Sequence, residues 1–255
     1  MNLKSIKDRA LFYLSAPKCV GCKKRLSYEE SALCAECYGE YLEIKKRNCS
    51  LCAKTLEYCS CSNSYLESHY VRKVIKVFRY VQKDNLPSNN LIYSLKRDNR
   101  KDVVEFLTEE LYRALNNSLE NIESCVFVNV PRRRNEKLRY GLDHAEVLAK
   151  NLAKRFSAEY YQPIVSKSKK PQKKTVGEER IKNARFELKR SAKDLNGKTV
   201  IIVDDIITTG ASMGACAMLI RSLGTKKIIG AALSIAYKDS FIPFDTEDRF
   251  YKTKK

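Results

Sequence analysis

The chain has 255 residues, 44% of them hydrophobic, and a formal net charge of +19. That apolar content excludes wholesale disorder, and a charge imbalance this large favours a polyanionic partner, nucleic acid or an anionic membrane face. No apolar run approaches the ~20 residues a membrane span needs, and Ala10–Leu14 is too short for a signal-peptide core; a cytoplasmic protein is expected.

Residues 1–18 read as a short amphipathic helix carrying Leu3, Ile6, Ala10, Phe12 and Leu14, with no assigned role. Eight of the ten cysteines follow within the first 61 residues, as Cys19-x2-Cys22, Cys34-x2-Cys37, Cys49-x2-Cys52 and Cys59-x-Cys61. A Cys-x2-Cys knuckle presents two thiolates to one metal, and two knuckles complete a tetrahedron. This spacing favours zinc in a reducing compartment over disulfides. Two zinc sites are expected, one on Cys19, Cys22, Cys34 and Cys37 and one on Cys49, Cys52, Cys59 and Cys61; one zinc with an irregular second cluster is the alternative. All-protein ligand sets imply structural metal. Residues 1–66 then form a small zinc-binding module that folds with its metal, and residues 67–255 form a second domain.

Residues 62–69 are polar and read as a linker. Val74–Val81 is strand-like, Leu86–Asn90 is a turn and helix start, and Leu91, Ile92 and Leu95 recur at helical spacing up to Lys96. Val103, Phe106, Leu107, Leu111 and Leu115 mark an amphipathic helix. Ser124–Pro131 is a buried strand stopped by proline. Arg132, Arg133, Arg134, Lys137 and Arg139 come next, then a helix from about His144 to Phe156. A basic turn at a strand's carboxyl end, leading into a helix, suits a diphosphate. Residues 159–165 form a short strand. Ser166–Arg190 carries ten Lys/Arg against three Glu. It is either a disordered basic tether or a mobile flap over the site, with Arg180, Lys182 and Arg185 available to phosphates and Phe186 and Leu188 re-anchoring it.

Gly197 turns the chain into Val200–Val203, a β-branched run of the kind buried on both faces of a parallel sheet. The run ends in Asp204 and Asp205, followed by Thr208-Thr209-Gly210-Ala211-Ser212. Ionised carboxylates at a strand end need water, a cation or ligand hydroxyls. The loop offers hydroxyls, a glycine free to take positive φ, and Ser212 as N-cap of a helix whose amides and dipole would cradle phosphate. Together these elements ask for a phosphorylated sugar. The helix ends near Gly224, Ile228–Ala236 is a last buried strand, and the tail beyond Tyr237 is polar. Alternating strands and helices from residue 71 onward give an α/β unit with a mainly parallel sheet and helices on both faces.

Val200–Ser212 resembles the phosphoribosyl-pyrophosphate (PRPP) motif of type I phosphoribosyltransferases. Over nearly its whole length the chain resembles the ComF/ComFC family of competence-associated, phosphoribosyltransferase-like proteins. The resemblance is carried by the paired cysteine knuckles, by Phe78-x-Tyr80 and Leu91-Ile92-x2-Leu95-Lys96, and by Val130-Pro131 with Arg139-Tyr140-Gly141-Leu142-Asp143-His144. Gln172 and Glu179-Arg180-x2-Asn183-Ala184-x-Phe186 extend it. Leu142, Asp143 and His144 stand where Phe, Asn and Gln are usual; the flap's usual glycine is absent and Arg185 intervenes.

The resemblance implies a type I phosphoribosyltransferase-like fold with an N-terminal zinc module. It also implies a role in natural transformation, handling incoming single-stranded DNA at the cytoplasmic face of the inner membrane, with other DNA-uptake or competence proteins as partners. The charge points to DNA independently, because neutralisation of phosphates by Lys and Arg drives non-specific binding. Lys169, Lys170, Lys173, Lys174, Arg133 and Arg134 are the expected DNA contacts. Tyr70, Phe78, Tyr80, Tyr93 and Tyr140 lie among basic residues, as base-stacking surfaces or as ordinary core aromatics. With PRPP bound, Asp204 and Asp205 would accept from the ribose hydroxyls, and Thr208, Thr209, Gly210, Ala211 and Ser212, flanked by Ile206 and Ile207, would hold the 5′-phosphate. Mg²⁺ would bridge diphosphate and ribose oxygens, and Arg132, Arg139, Lys96 and Arg180 would neutralise the diphosphate. The acid pair would also stabilise positive charge at the anomeric carbon if transfer occurs. His69 reads as structural, and His144 as a polar contact near the diphosphate turn. No base-reading hood is evident, so a PRPP-binding, DNA-handling protein is favoured, with or without turnover, over a phosphoribosyltransferase acting on a nucleobase or other small acceptor.

Overall fold

The computed structural model describes residues 17–49, 52–80, 86–133, 137–138, 141–167 and 186–236. The helix expected over 1–18, most of the basic 166–190 segment and the tail beyond Tyr237 fall outside them. The strands are β1 (Val71–Arg79), β2 (Val126–Asn129), β3 (Glu159–Tyr160), β4 (Ile164–Ser166), β5 (Phe186–Leu188), β6 (Thr199–Ile207) and β7 (Lys227–Ile235). The helices are α1 (Ala35–Lys45), α2 (Ser64–Ser68), α3 (Pro87–Arg97), α4 (Lys101–Ser118), α5 (His144–Arg155) and α6 (Ala211–Arg221).

Five strands form one sheet in the order β1-β7-β6-β2-β3, with every pair parallel. The apolar runs explain why the sheet is covered on both faces. Ile201, Val203, Ile229, Ala231 and Phe127 enter the core under α4 and α5, while Val200, Ile202, Ile228, Ala232 and Val128 enter the one under α6. Each Val, Ile or Phe among them contributes about 1.5–3 kcal/mol by leaving water. The fold is thus α/β with a parallel sheet and helices on both sides, as expected.

Three differences from the sequence reading matter for the site. First, β6 continues through the acid pair to Ile207, because β7 stays alongside it: Asp204 pairs with Ala232 and Ile207 with Ile235. On the other side the β2 ladder stops at Asn129–Val203. Asp204–Ile207 therefore lies open toward β2. The β2–α5–β3 crossover leaves in one direction and β6–α6–β7 in the other, so this opening is the sheet's topological switch point. Second, residues 159–165 split. β3 joins the main sheet, whereas β4 pairs antiparallel with β5, Ile164 opposite Leu188 and Ser166 opposite Phe186. The basic segment is the connection of that hairpin, and Phe186 and Leu188 do anchor its return. Third, residues 62–69 are not a linker. They hold α2, capped by Asn63, whose Oδ1 accepts the Leu66 N–H at 2.8 Å.

The cysteine module shares the main core. Tyr41 of α1 is fully buried, edge-on to Phe78 of β1 and Phe106 of α4 at 5.8 and 5.5 Å. Its hydroxyl donates to Glu110 at 2.7 Å, and Lys45 pairs with the same carboxylate at 2.7 Å. Breaking one partner of such a buried pair costs about 3–5 kcal/mol. If zinc holds the cysteine sets, its removal by a chelator should lower the melting temperature of the whole chain in one transition. The expected drop is about 10 °C or more, since each kcal/mol is worth about 2–4 °C at this length. Two transitions, with the sheet melting at its original temperature, would contradict a shared core.

Candidate functional site

Strand alternation turns the two tandem carboxylates to opposite faces of β6. Asp205 follows Ile201 and Val203 toward α3 and α5; Asp204 follows Val200 and Ile202 toward α6. Asp205 is buried, and its Oδ2 accepts from Arg132 Nη2 at 2.6 Å and faces Lys96 Nζ at 3.2 Å. Its Oδ1 accepts the Ile206 N–H at 2.7 Å. Burial pushes this carboxyl up, but the Lys96 and Arg132 charges outweigh it and hold it well below the ordinary carboxylate range. Asp204 makes no ion pair among the described residues; its Oδ1 accepts the Asp205 N–H at 2.8 Å. Burial, and then the charge of Asp205, raise its carboxyl to about 8.

The loop after β6 leads into a helix start as expected, with the cap shifted from Ser212 to Gly210. Gly210 is the N-cap of α6, at φ +83°, and a Cβ there would lie 2.7 Å from Leu66 of α2. Glycine is required both for the left-handed backbone and for the close approach. The Ala211 N–H is taken by Thr209 Oγ1 at 3.3 Å. Ser212, the expected cap, lies inside the first turn, so its hydroxyl is not used for capping. The remaining first-turn amides lack intrahelical partners and suit an anion. Asn63 Nδ2 donates to the Thr209 carbonyl at 3.5 Å, so α2 braces the loop from below.

The basic turn after β2 is organised by Asp143, noted in the sequence only as a departure from the family's pattern. Asp143 is buried; its Oδ2 accepts the Arg132 N–H at 3.0 Å and faces Lys137 Nζ at 3.1 Å, and its Oδ1 caps α5 through the Glu146 N–H at 3.3 Å. The Asp-x-x-Glu spacing at the start of an apolar-periodic helix was the available signal. Lys137 also pairs with Glu146 at 3.0 Å. Arg132, Lys96, Asp204, Asp205 and the Ile206–Ser212 stretch are thus brought together at the switch point. Arg133 is half-buried beside them. Arg134, Arg139, Arg180, Lys169, Lys170, Lys173 and Lys174 lie outside the described residues.

His144 is fully buried and bonds Asn99 Oδ1 through Nε2 at 2.8 Å. Burial first, then the nearby Arg132 charge, lower it to about 4, so it is neutral and adds no charge to the anion site. His69 is structural, stacked on Tyr65 at 4.1 Å against α6. Beside Arg132 a cavity of about 430 Å³ opens toward the β4–β5 hairpin, lined by Lys137, Tyr160, Gln162, Ser166 and Lys189 among others.

Both cysteine sets converge. The four sulfurs of Cys19, Cys22, Cys34 and Cys37 lie within 4.8 Å of one another, as do those of Cys49, Cys52, Cys59 and Cys61. The first knuckle of each cluster closes with the same pair of backbone hydrogen bonds. Lys23 N–H reaches Cys19 O at 3.0 Å and Cys19 N–H reaches Lys24 O at 2.8 Å; Ala53–Cys49 and Cys49–Lys54 match them at 2.8 and 2.7 Å. Lys23 and Ala53 both take positive φ. A Cβ on Gly21 would lie 2.6 Å from the Cys37 sulfur. These closed thiolate sets fit tetrahedral zinc.

A family model described as Phosphoribosyl transferase domain matches residues 141–253. Competence protein F of Haemophilus influenzae is 24% identical over 221 residues, covering 83% of this chain and 93% of that protein. The chain is a homologue of competence protein F. It joins a phosphoribosyltransferase domain to N-terminal cysteine clusters. A ribose-phosphate pyrophosphokinase of Pyrococcus abyssi is 46% identical over 54 residues, which span 21% of this chain and 19% of that enzyme. The solved purine phosphoribosyltransferase of Pyrococcus horikoshii aligns with 53% of this chain and 80% of its own, at 18% identity and a TM-score of 0.35.

The raised Asp204 carboxyl has a stability consequence. As pH rises past the ordinary carboxylate value the unfolded chain releases this proton before the folded one, so folding stability falls until the folded group titrates at about 8. Asp205 works in the opposite window: its contribution holds at neutral pH and is lost only as pH falls through its lowered value. Asp204→Asn should therefore gain more in melting temperature over wild type at pH 8 than at pH 5. An equal gap at both values would mean that Asp204 is not held protonated by its surroundings.

Proposed function

We propose that the protein binds PRPP with Mg²⁺ at the carboxyl ends of β2 and β6 and handles incoming single-stranded DNA during natural transformation. In this reading it acts in the cytoplasm, at or near the inner membrane, alongside other DNA-uptake proteins. The observation that carries the PRPP half is the meeting of the Asp204–Asp205 strand end, the Gly210 loop and the Arg132 turn at one switch point. Asp205, kept ionised by two cations, accepts from a ribose hydroxyl. Asp204 meets the sugar from the other face of the strand. The Thr208–Ser212 loop takes the 5′-phosphate, and Lys96 and Arg132 turn part of their charge to the diphosphate. Mg²⁺ favours oxygen ligands and retains waters, which fits the acid pair together with the ligand's own phosphates, and when bound it offsets diphosphate charge.

The DNA half is supported by the +19 charge and by the similarity to competence protein F. No described helix is long and apolar enough to cross a membrane. The cysteine sets, closed by four protein ligands each, would hold structural zinc. A second reading, transfer of the phosphoribosyl group to a small acceptor, is favoured by the cavity beside Arg132, whose volume of about 430 Å³ suits a compact ligand.

Asp204→Asn combined with Asp205→Asn should abolish calorimetric PRPP binding and leave affinity for an oligothymidine within about twofold, because the phosphate contacts that set DNA affinity lie elsewhere. Loss of DNA affinity in the same variant would merge the two sites and contradict this reading.

A further inference from the structure

The amino-terminal end of the parallel sheet carries a second cationic surface, away from the switch point. The first rung shared by β1, β7, β6 and β2 runs Val71–Ile228–Val200–Val126. Tyr70 and Lys227 stand just before that rung, and Lys226 and Lys198 one step further back, joined by the Lys226 N–H to Lys198 carbonyl bond at 2.9 Å. Tyr70 is 51% exposed. The Arg221 guanidinium lies over its ring at 5.5 Å and is tethered by a hydrogen bond to the Thr225 carbonyl. Lys198, Arg221, Lys226 and Lys227 are all exposed, and none forms an ion pair among the described residues. Some cations elsewhere on the surface do pair, as Lys24 with Glu36, Arg113 with Glu109 and Lys150 with Glu146. Glu123 is near enough to act with Lys227 on the Cys125 thiol, yet pairs with no cation among the described residues.

Protection of a sheet edge accounts for part of this charge. β1 is an edge strand, and its exposed Arg72 and Lys73 sit at a register shift, as edges that avoid pairing often do. It does not account for Lys198 and Lys226, which precede interior strands, for Lys227, which opens β7, or for a tyrosine held beneath an arginine. Unneutralised lysines cost little in water but have a use for phosphates. A half-exposed aromatic ring beside them has a use for an unpaired base, which neither duplex DNA nor a lipid headgroup presents.

We propose that this end of the sheet is a single-stranded nucleic-acid surface, with Lys198, Lys226 and Lys227 on phosphates and Tyr70, backed by Arg221, stacking a base. The proposal rests on the DNA half of the proposed function and gives it a place opposite the PRPP site, so both ligands bind at once.

The full-length protein is titrated into fluorescein-labelled oligothymidine over a range of salt concentrations, read by anisotropy. The triple variant Lys198→Glu, Lys226→Glu, Lys227→Glu should bind about tenfold more weakly or worse. Its log–log salt slope should be shallower by about 2, three phosphate contacts at about 0.7 each. Tyr70→Ala should weaken binding by about fivefold or more with an unchanged slope, and Tyr70→Phe should restore it, as stacking requires. Calorimetric PRPP–Mg²⁺ binding, unchanged in every variant, reports that each is folded. Wild-type affinity and slope in the triple variant would overturn the surface while leaving the proposed function standing. No binding by the wild-type protein would remove the DNA half itself. Loss of binding to phosphatidylserine vesicles with unchanged oligonucleotide binding would make this a membrane face and overturn the proposal.

Discussion

One buried carboxylate, Asp205, ties three distant stretches of chain into a site. Lys96 comes from α3, Arg132 from the turn after β2, and both end on its Oδ2. Two cations on one anion leave the pocket with a net positive charge that is already desolvated and oriented. Such preorganisation lets a phosphate ligand bind without first gathering charges from flexible side chains. The orientation of Arg132 is fixed twice, through its guanidinium on Asp205 and its backbone N–H on Asp143. Asp143 also caps α5, so the helix start and the basic turn are set by the same carboxylate.

The cysteine clusters extend this logic into the scaffold. The first cluster leads into α1, which packs on α3, the helix that presents Lys96. The second leads through Ser62, whose hydroxyl donates to the Val71 carbonyl at 2.7 Å, into α2 and the underside of the Gly210 loop. Each half of the site is therefore braced by a segment that follows one set of thiols. Metal, if it fixes those segments, contributes to the site without touching a ligand.

What could be read from the sequence was whatever a short window encodes. The apolar runs of β6 and β7, the cysteine spacing and the start of a helix after Thr-Thr-Gly are local signals, and each stands where it was expected. What could not be read depends on contacts between windows. The segment 62–69 looked like a linker because its apolar content is only Tyr65 and Leu66, and their value comes from α6, which lies far along the chain. The strand looked as though it ended at the acids because nothing local indicated that β7 would carry it past them to Ile207. Phe78, a stacking candidate among basic residues, is fully buried under Tyr41, whereas Tyr70 is exposed. Composition alone did not separate the two.

A parallel sheet has chemically different ends, and this one has a different cationic surface at each. At the carboxyl end the cations are paired and organised around acids; at the amino end, among the described residues, they form no ion pair and surround a tyrosine. The central claim concerns the first, that the strand-end acids and the Gly210 loop form a PRPP site. Its most direct test is calorimetric titration of the wild-type protein with PRPP, with and without Mg²⁺. Saturable binding of one PRPP per chain, strengthened by Mg²⁺, is the predicted result. No binding of PRPP in the presence of Mg²⁺ would contradict it.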